Sequence, residues 1–120
     1  MDDLDFDPDT LEVCWRTDAL ISVYHLKQLS PPISHYQGTG KLVNAKGDGV
    51  ALLRFSGDIA LAWLLLEAQP FDIGLERELG TWTCSIPGAA ASAHTAPLAI
   101  CRAVLKLVKA RRSAKTEGEG

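Results

Sequence analysis

The sequence predicts an α+β domain, a small mixed sheet flanked by helices in the order α-β-β-α-β-β-α. Three observations predict it. Residues 18–29, 57–69 and 95–110 repeat apolar residues at three- and four-residue steps, the period of a helix with one buried face. Residues 71–78 and 81–86 alternate apolar and polar residues about Leu79-Gly80, the pattern of a hairpin. A glycine-rich stretch, 34–49, and a short apolar run, 50–55, lie between the first two helices and supply two further strands.

Composition sets the scale. A chain of 120 residues with 47% hydrophobic content buries one core without staples and is too short for two ordinary domains. We expect an acidic, partly disordered leader at 1–17, a single domain at 18–110 and a disordered tail at 111–120.

In chain order, Leu11, Val13 and Trp15 alternate with Glu12 and Cys14 and suggest a short strand. The helix at 18–29 has Thr17 or Asp18 as N-cap and is stopped by Ser30-Pro31-Pro32. One strand is expected near residues 41–44 and a buried one at 50–55. Ser56 caps the next helix, Asp58 complements its dipole, and Pro70 ends it. A loop of small residues, 87–94, follows the hairpin. Thr95 then caps the last helix, in which Pro97 lies among first-turn amides that have no intrahelical acceptor. A right-handed crossover would set strand 50–55 parallel to the hairpin's first strand.

Several function classes are disfavoured. The longest apolar run, 59–66, is well short of the roughly 20 residues that span a bilayer, and the start is acidic where a signal peptide is basic, so the expected location is the cytoplasm. Cys14, Cys84 and Cys101 show no paired C-x-x-C spacing, so neither a disulfide framework nor a metal site is expected. G-T-G-K, residues 38–41, lacks the spacing and the Ser/Thr of a phosphate loop. His25, His35 and His94 have no motif joining them to a nucleophile, so no catalytic residue, no cofactor and no enzyme activity is assigned.

Net charge is only -3, yet it is polarised. Asp2, Asp3, Asp5, Asp7, Asp9 and Glu12 crowd the start, while Arg102, Lys106, Lys109, Arg111, Arg112 and Lys115 crowd the end. The ends could attract each other or separate partners. The plainer reading is a solvated leader and a solvated basic helix face that complements the helix dipole. Without interleaved aromatics the basic stripe gives little support for nucleic-acid binding.

S-G-D-I-A-L-A-W, residues 56–63, and T-A-P-L-A-I-C-R-A, residues 95–103, resemble the two signature helices of the phage ABA-sandwich domain family, small proteins of tailed phages and prophages. Trp82 falls where that family places an aromatic. The resemblance covers residues 51–108 and implies a sheet with helices on both faces and a phage origin, with no established activity. The alternating hairpin suggests that the third layer is partial, with the 18–29 helix covering part of the second sheet face.

Within the first signature helix, Ile59, Ala62, Trp63 and Leu66 make a core face, while Leu61, Leu64, Leu65 and Ala68 make a second apolar face. Either the N-terminal helix covers that second face or it meets another molecule, a homodimer partner or a target. On the last helix Leu98, Cys101, Leu105 and Val108 form the core stripe. The expected partner interface is therefore Leu61, Leu64 and Leu65 with Asp2, Asp3, Asp5, Asp7 and Asp9. His94 and Thr95, at a helix N-terminus, are a weaker anion-binding candidate. The leading expectation is a non-enzymatic phage protein that inhibits a bacterial host-defence system, in the manner of anti-CRISPR proteins, through protein–protein contact. An oligomeric sponge for a signalling nucleotide and a phage structural or regulatory factor are the alternatives.

Overall fold

The computed structural model describes residues 6–27, 33–35, 41–44, 46–68 and 73–119, with side chains except at 33–35 and 112–119. A 3₁₀ turn at Pro8–Thr10 opens it. There follow α1 (Trp15–Leu20) continued by a π turn (Ile21–His25), β1 (Ile33–His35), β2 (Lys41–Asn44), β3 (Gly49–Ala51), α2 (Ile59–Glu67), β4 (Gly74–Glu78), β5 (Thr81–Ile86), β6 (Ala89–Ala93) and α3 (Ala96–Glu119). The α+β class is as the sequence predicts.

Both sheets are antiparallel and three-stranded, ordered β1-β2-β3 and β4-β5-β6. The parallel crossover expected from 50–55 does not form, because β3 ends at Ala51 and pairs only with β2. Leu53 then turns outward, 39% exposed, and the first apolar residue to return to the core is Phe55. Asn44 closes the β2–β3 hairpin: its buried Oδ1 accepts the amides of Lys46 and Asp48, both at 3.0 Å.

The β4–β5 hairpin turns where expected, with Leu79 (φ 52) and Gly80 (φ 80) both left-handed, as a two-residue type I′ turn requires. The stretch 87–94, expected as loop, instead turns at Pro87-Gly88 and adds β6. Alanine has little strand propensity, but Ala91 and Ala93 face α3, where small side chains let the helix lie close. Gly88 shows the closeness. It holds φ 92, and a Cβ there would stand 2.8 Å from Leu107 Cδ1.

The layers differ from the expected sandwich. α3 packs on one face of β4-β5-β6, and α1, its π turn and α2 pack on α3. Glu76, Glu78, Thr81, Ser85, Ala90 and Ser92 are exposed, so the opposite sheet face is open, and the N-terminal helix covers α3 rather than that face. Lying between layers, α3 is buried almost all round. Leu98, Ala99, Ile100, Cys101, Ala103, Val104 and Leu105 are fully buried, which adds Ala99, Ile100, Ala103 and Val104 to the predicted stripe. It also runs past the expected end at Ala110, to Glu119.

The N-terminal region departs most from expectation. No strand forms at 11–15: Leu11 enters the core, Glu12 O accepts the Thr17 hydroxyl at 2.6 Å, and Trp15 begins α1. α1 thus starts before Thr17 and Asp18, which serve as interior anchors and not as caps. It ends early as well, through the Leu26 N–H to Ile21 O bond at 2.9 Å and Lys27 at φ 55. The expected proline stop at 30–32 and Pro70 lie outside the described residues.

Candidate functional site

The sequence nominated two surfaces, and each is arranged differently from expectation. On α2, Asp58 is the N-cap, its Oδ1 accepting the amides of Ala60 (2.8 Å) and Leu61 (3.4 Å). Ser56 is not the cap, because it lies two residues before Asp58 and outside the first turn of the helix; its amide donates to Asp18 Oδ1 at 2.7 Å. This capping sets where α2 begins, and packing on α3 sets which face it buries. Ala62, Leu65 and Leu66 turn inward and Leu61 is half-buried against the core, while Ile59 (48%), Trp63 (42%) and Leu64 (55%) face out.

Leu65 is therefore core, at 2% exposure, and is withdrawn from the predicted interface; Leu61 contributes only an edge. Leu64 remains at the surface, joined by Ile59 and Trp63, which periodicity alone had assigned to the core. An apolar helix shows several faces that could equally be buried, and its packing against the rest of the fold decides between them. The surface extends beyond α2. A Cβ on Gly57 would stand 3.3 Å from Val13 Cγ1, so the exposed Val13 sits beside the start of the helix, two residues before the half-exposed Trp15. Large apolar side chains gathered in this way mark contact surfaces, and Trp is enriched among the residues that dominate them.

The second surface is the leader. Asp2, Asp3 and Asp5 lie outside the described residues; Asp7 and Asp9 belong to a strap laid along α3. Asp7 caps the 3₁₀ turn, its Oδ1 accepting Asp9 N at 3.0 Å. Asp9 meets Lys106 Nζ at 3.3 Å. Arg102 Nε donates to Leu11 O at 2.7 Å and its Nη2 lies 3.6 Å from Glu12, while Nη1 donates to Ser92 O of β6 at 2.8 Å. Lys109 Nζ donates to Phe6 O and lies 5.3 Å from the centre of the Phe6 ring.

The basic residues recur at steps of four and three on α3, and the arm answers in steps of about three in the reverse direction. Phe6, Pro8 and Leu11 point inward and are buried. Two ion pairs, Arg102–Glu12 and Lys106–Asp9, thus join the charge clusters that the sequence presents separately. The spacing of Arg102, Lys106 and Lys109 against Phe6, Asp9 and Glu12 is the signal that sequence reading passed over.

A third cluster is internal. Asp18 is 4% exposed beneath the α2 entry loop. Burial raises its carboxyl pKa above the usual 3.8. Ser56, whose amide donates to it and whose hydroxyl lies beside it without hydrogen-bond geometry, and Arg54 oppose that shift. The Ser56 and Ser22 hydroxyls are buried without a hydrogen-bond partner among the described residues. Burial also pushes the Cys84 thiol up to about 11 and the Cys101 thiol higher still, with the charge of Asp18 adding to the latter, so both thiols are held as unreactive core groups.

His94 is exposed, and the neighbouring Thr95 spends its hydroxyl on the Leu98 amide at 3.4 Å, closing the start of α3. The anion candidate at this helix end therefore consists of a cap and a solvated imidazole. Among the described residues no group of three or more His, Cys, Asp or Glu side chains is placed to hold a metal ion, and no helix is long and apolar enough to cross a membrane.

The sequence matches no protein-family model and no curated protein. Its fold is similar to that of a phage protein from Bacillus cereus ATCC 14579 known from a 2.0 Å crystal structure, with a TM-score of 0.53 and 19% identity over 78% of this chain and 85% of that one. The similarity extends the phage resemblance from two helix motifs to the fold.

Proposed function

We propose that this chain is a small non-enzymatic binding protein of phage origin that inhibits a bacterial host-defence system by protein–protein contact in the host cytoplasm. The observation that carries the reading is the outward apolar face of α2, where Ile59, Trp63 and Leu64 are 48%, 42% and 55% exposed although the same helix has a complete buried face. Val13, beside Gly57, widens that surface. Similarity in fold to a phage protein supports the origin. The inhibitory role follows from joining that origin to a contact surface.

The test is a plaque assay in a defended bacterial host expressing either the wild type or a Trp63→Asp/Leu64→Asp variant. Both substituted positions are at the surface, so circular dichroism should show an unchanged fold. The expected result is that wild-type protein restores plaque formation and captures a defence component, and that the variant does neither. A folded variant that protects phage as well as wild type would refute the assignment of the surface. Wild-type protein that protects against no defence system would refute the role.

A further inference from the structure

We propose that the face of α3 bearing Arg102, Lys106 and Lys109 is a peptide-recognition groove for an acidic, extended segment of another protein, and that residues 6–12 are its resident occupant. The arm is bound as a peptide ligand is bound. Phe6, Pro8 and Leu11 enter the fold as anchors, and Asp7, Asp9 and Glu12 lie between and beyond them at the exposed rim. Two of the three basic residues donate to main-chain carbonyls, Leu11 O and Phe6 O, which any peptide in this register would offer. The carboxylates of Asp9 and Glu12 supply the charge complementarity.

The occupant is also placed to leave. Residues 6–11 contain one short turn, and neither a helix nor a sheet pairing of the domain passes through them. The Asp9–Lys106 pair is about half-exposed on both sides, a setting in which an ion pair adds little. A nucleic-acid strand fits less well. Nothing in a phosphodiester backbone would replace the three apolar anchors, and α3 carries no aromatic side chain on which a base could stack. The groove's Arg102, Lys106 and Lys109 are not part of the apolar surface of α2, so the two assignments are tested by different substitutions.

A tethered occupant competes at an effective concentration on the order of millimolar, so a free peptide should bind wild-type protein weakly and an anchor-depleted protein well. The probe is a fluorescein-labelled synthetic peptide of residues 1–13, followed by fluorescence anisotropy with full-length wild type and with a full-length Phe6→Ala variant. The expected result is binding to the variant at least tenfold tighter than to wild type. Adding Lys106→Glu and Lys109→Glu should abolish it, as should replacing Phe6 and Leu11 by serine in the peptide.

A folded variant with no gain in affinity would overturn the proposal. So would equal affinity for the serine-substituted peptide, or for a double-stranded oligonucleotide, since either would mean that charge alone is read. A measurement on unaltered protein covers the case in which the variant fails to fold. Millimolar unlabelled peptide of the same sequence renews the contacts on α3 but releases the resident arm, so it should shift the wild-type amide resonances of residues 6–12 and leave Trp63 unmoved, and an absence of shifts at 6–12 would equally overturn it.

Discussion

Asp18 Oδ1 accepts the Ser56 amide at 2.7 Å across 38 residues of sequence, joining α1 to the loop that launches α2. The bond is buried, so removing its acceptor strands an amide. Asp18→Ala should cost about 1–3 kcal/mol in urea unfolding at pH 7, whereas Asp18→Asn keeps an oxygen in place and should cost less. The pH dependence separates the two roles of the carboxylate. Its folded pKa is raised, so its contribution is complete below the unfolded value of 3.8 and is lost as pH rises through the folded value. Asp18→Asn should lack that loss when unfolding free energies are compared from pH 3 to 7.

His25, at the end of the π turn, shifts the other way. Burial and, next, the charge of Arg111 lower its pKa from 6.5, so the folded state prefers the neutral ring. Stability should fall as pH drops through 6.5, where the unfolded chain takes up a proton that the folded chain resists. His25→Gln should flatten the unfolding profile in that window.

Leu79 is 99% exposed and holds φ 52 in a turn suited to Asn or Gly. It buries nothing in return for the strain. Leu79→Asn should raise stability by about 0.5–1 kcal/mol, visible as a higher Tm.

The two faces of α2 predict opposite outcomes for the same residue type. Leu66→Ala, at 1% exposure, should cost about 2–5 kcal/mol, and Leu64→Ala should stay within about 0.5 kcal/mol, both read by denaturant midpoint.

Gly88 is constrained both by its φ of 92 and by Leu107. Gly88→Ala should therefore destabilise by about 1–3 kcal/mol, where the same change at an unconstrained glycine would stabilise.

What could be read from the sequence was what the local chain decides. The Leu79-Gly80 turn, the strand at Lys41–Asn44 and the helix starting after Thr95 need only periodicity and turn chemistry. What could not be read depended on partners distant in sequence. Ala89–Ala93 becomes a strand because α3 accepts small side chains against it, and no propensity within those five residues indicates that. The helix buried almost all round proved to be α3 and not α2. Its alanines, Ala99 and Ala103, look neutral in a pattern search, whereas the leucines of α2 advertise burial that only Leu65 and Leu66 achieve fully.

The candidate surfaces follow the same division. Leu64 is legible in the sequence, but Ile59 and Trp63 are hidden by an ambiguity of rotation that the packing of α2 on α3 resolves. In the sequence the leader and the basic stripe read most plainly as solvated, with attraction to each other or to separate partners as the alternatives. Both carry enough formal charge to look independent until Asp9 and Lys106 are seen 3.3 Å apart.

Arg102 carries one further implication. The side chain that holds Leu11 and Glu12 also occupies the carbonyl of Ser92 on β6, an outer strand with no charged residue of its own. A bare strand margin of alanine and serine invites self-association, and here a guanidinium stands guard over it. Lifting the arm would remove two of the three groups that hold this guanidinium, so colloidal behaviour, and not only folding, is tied to residues 6–12.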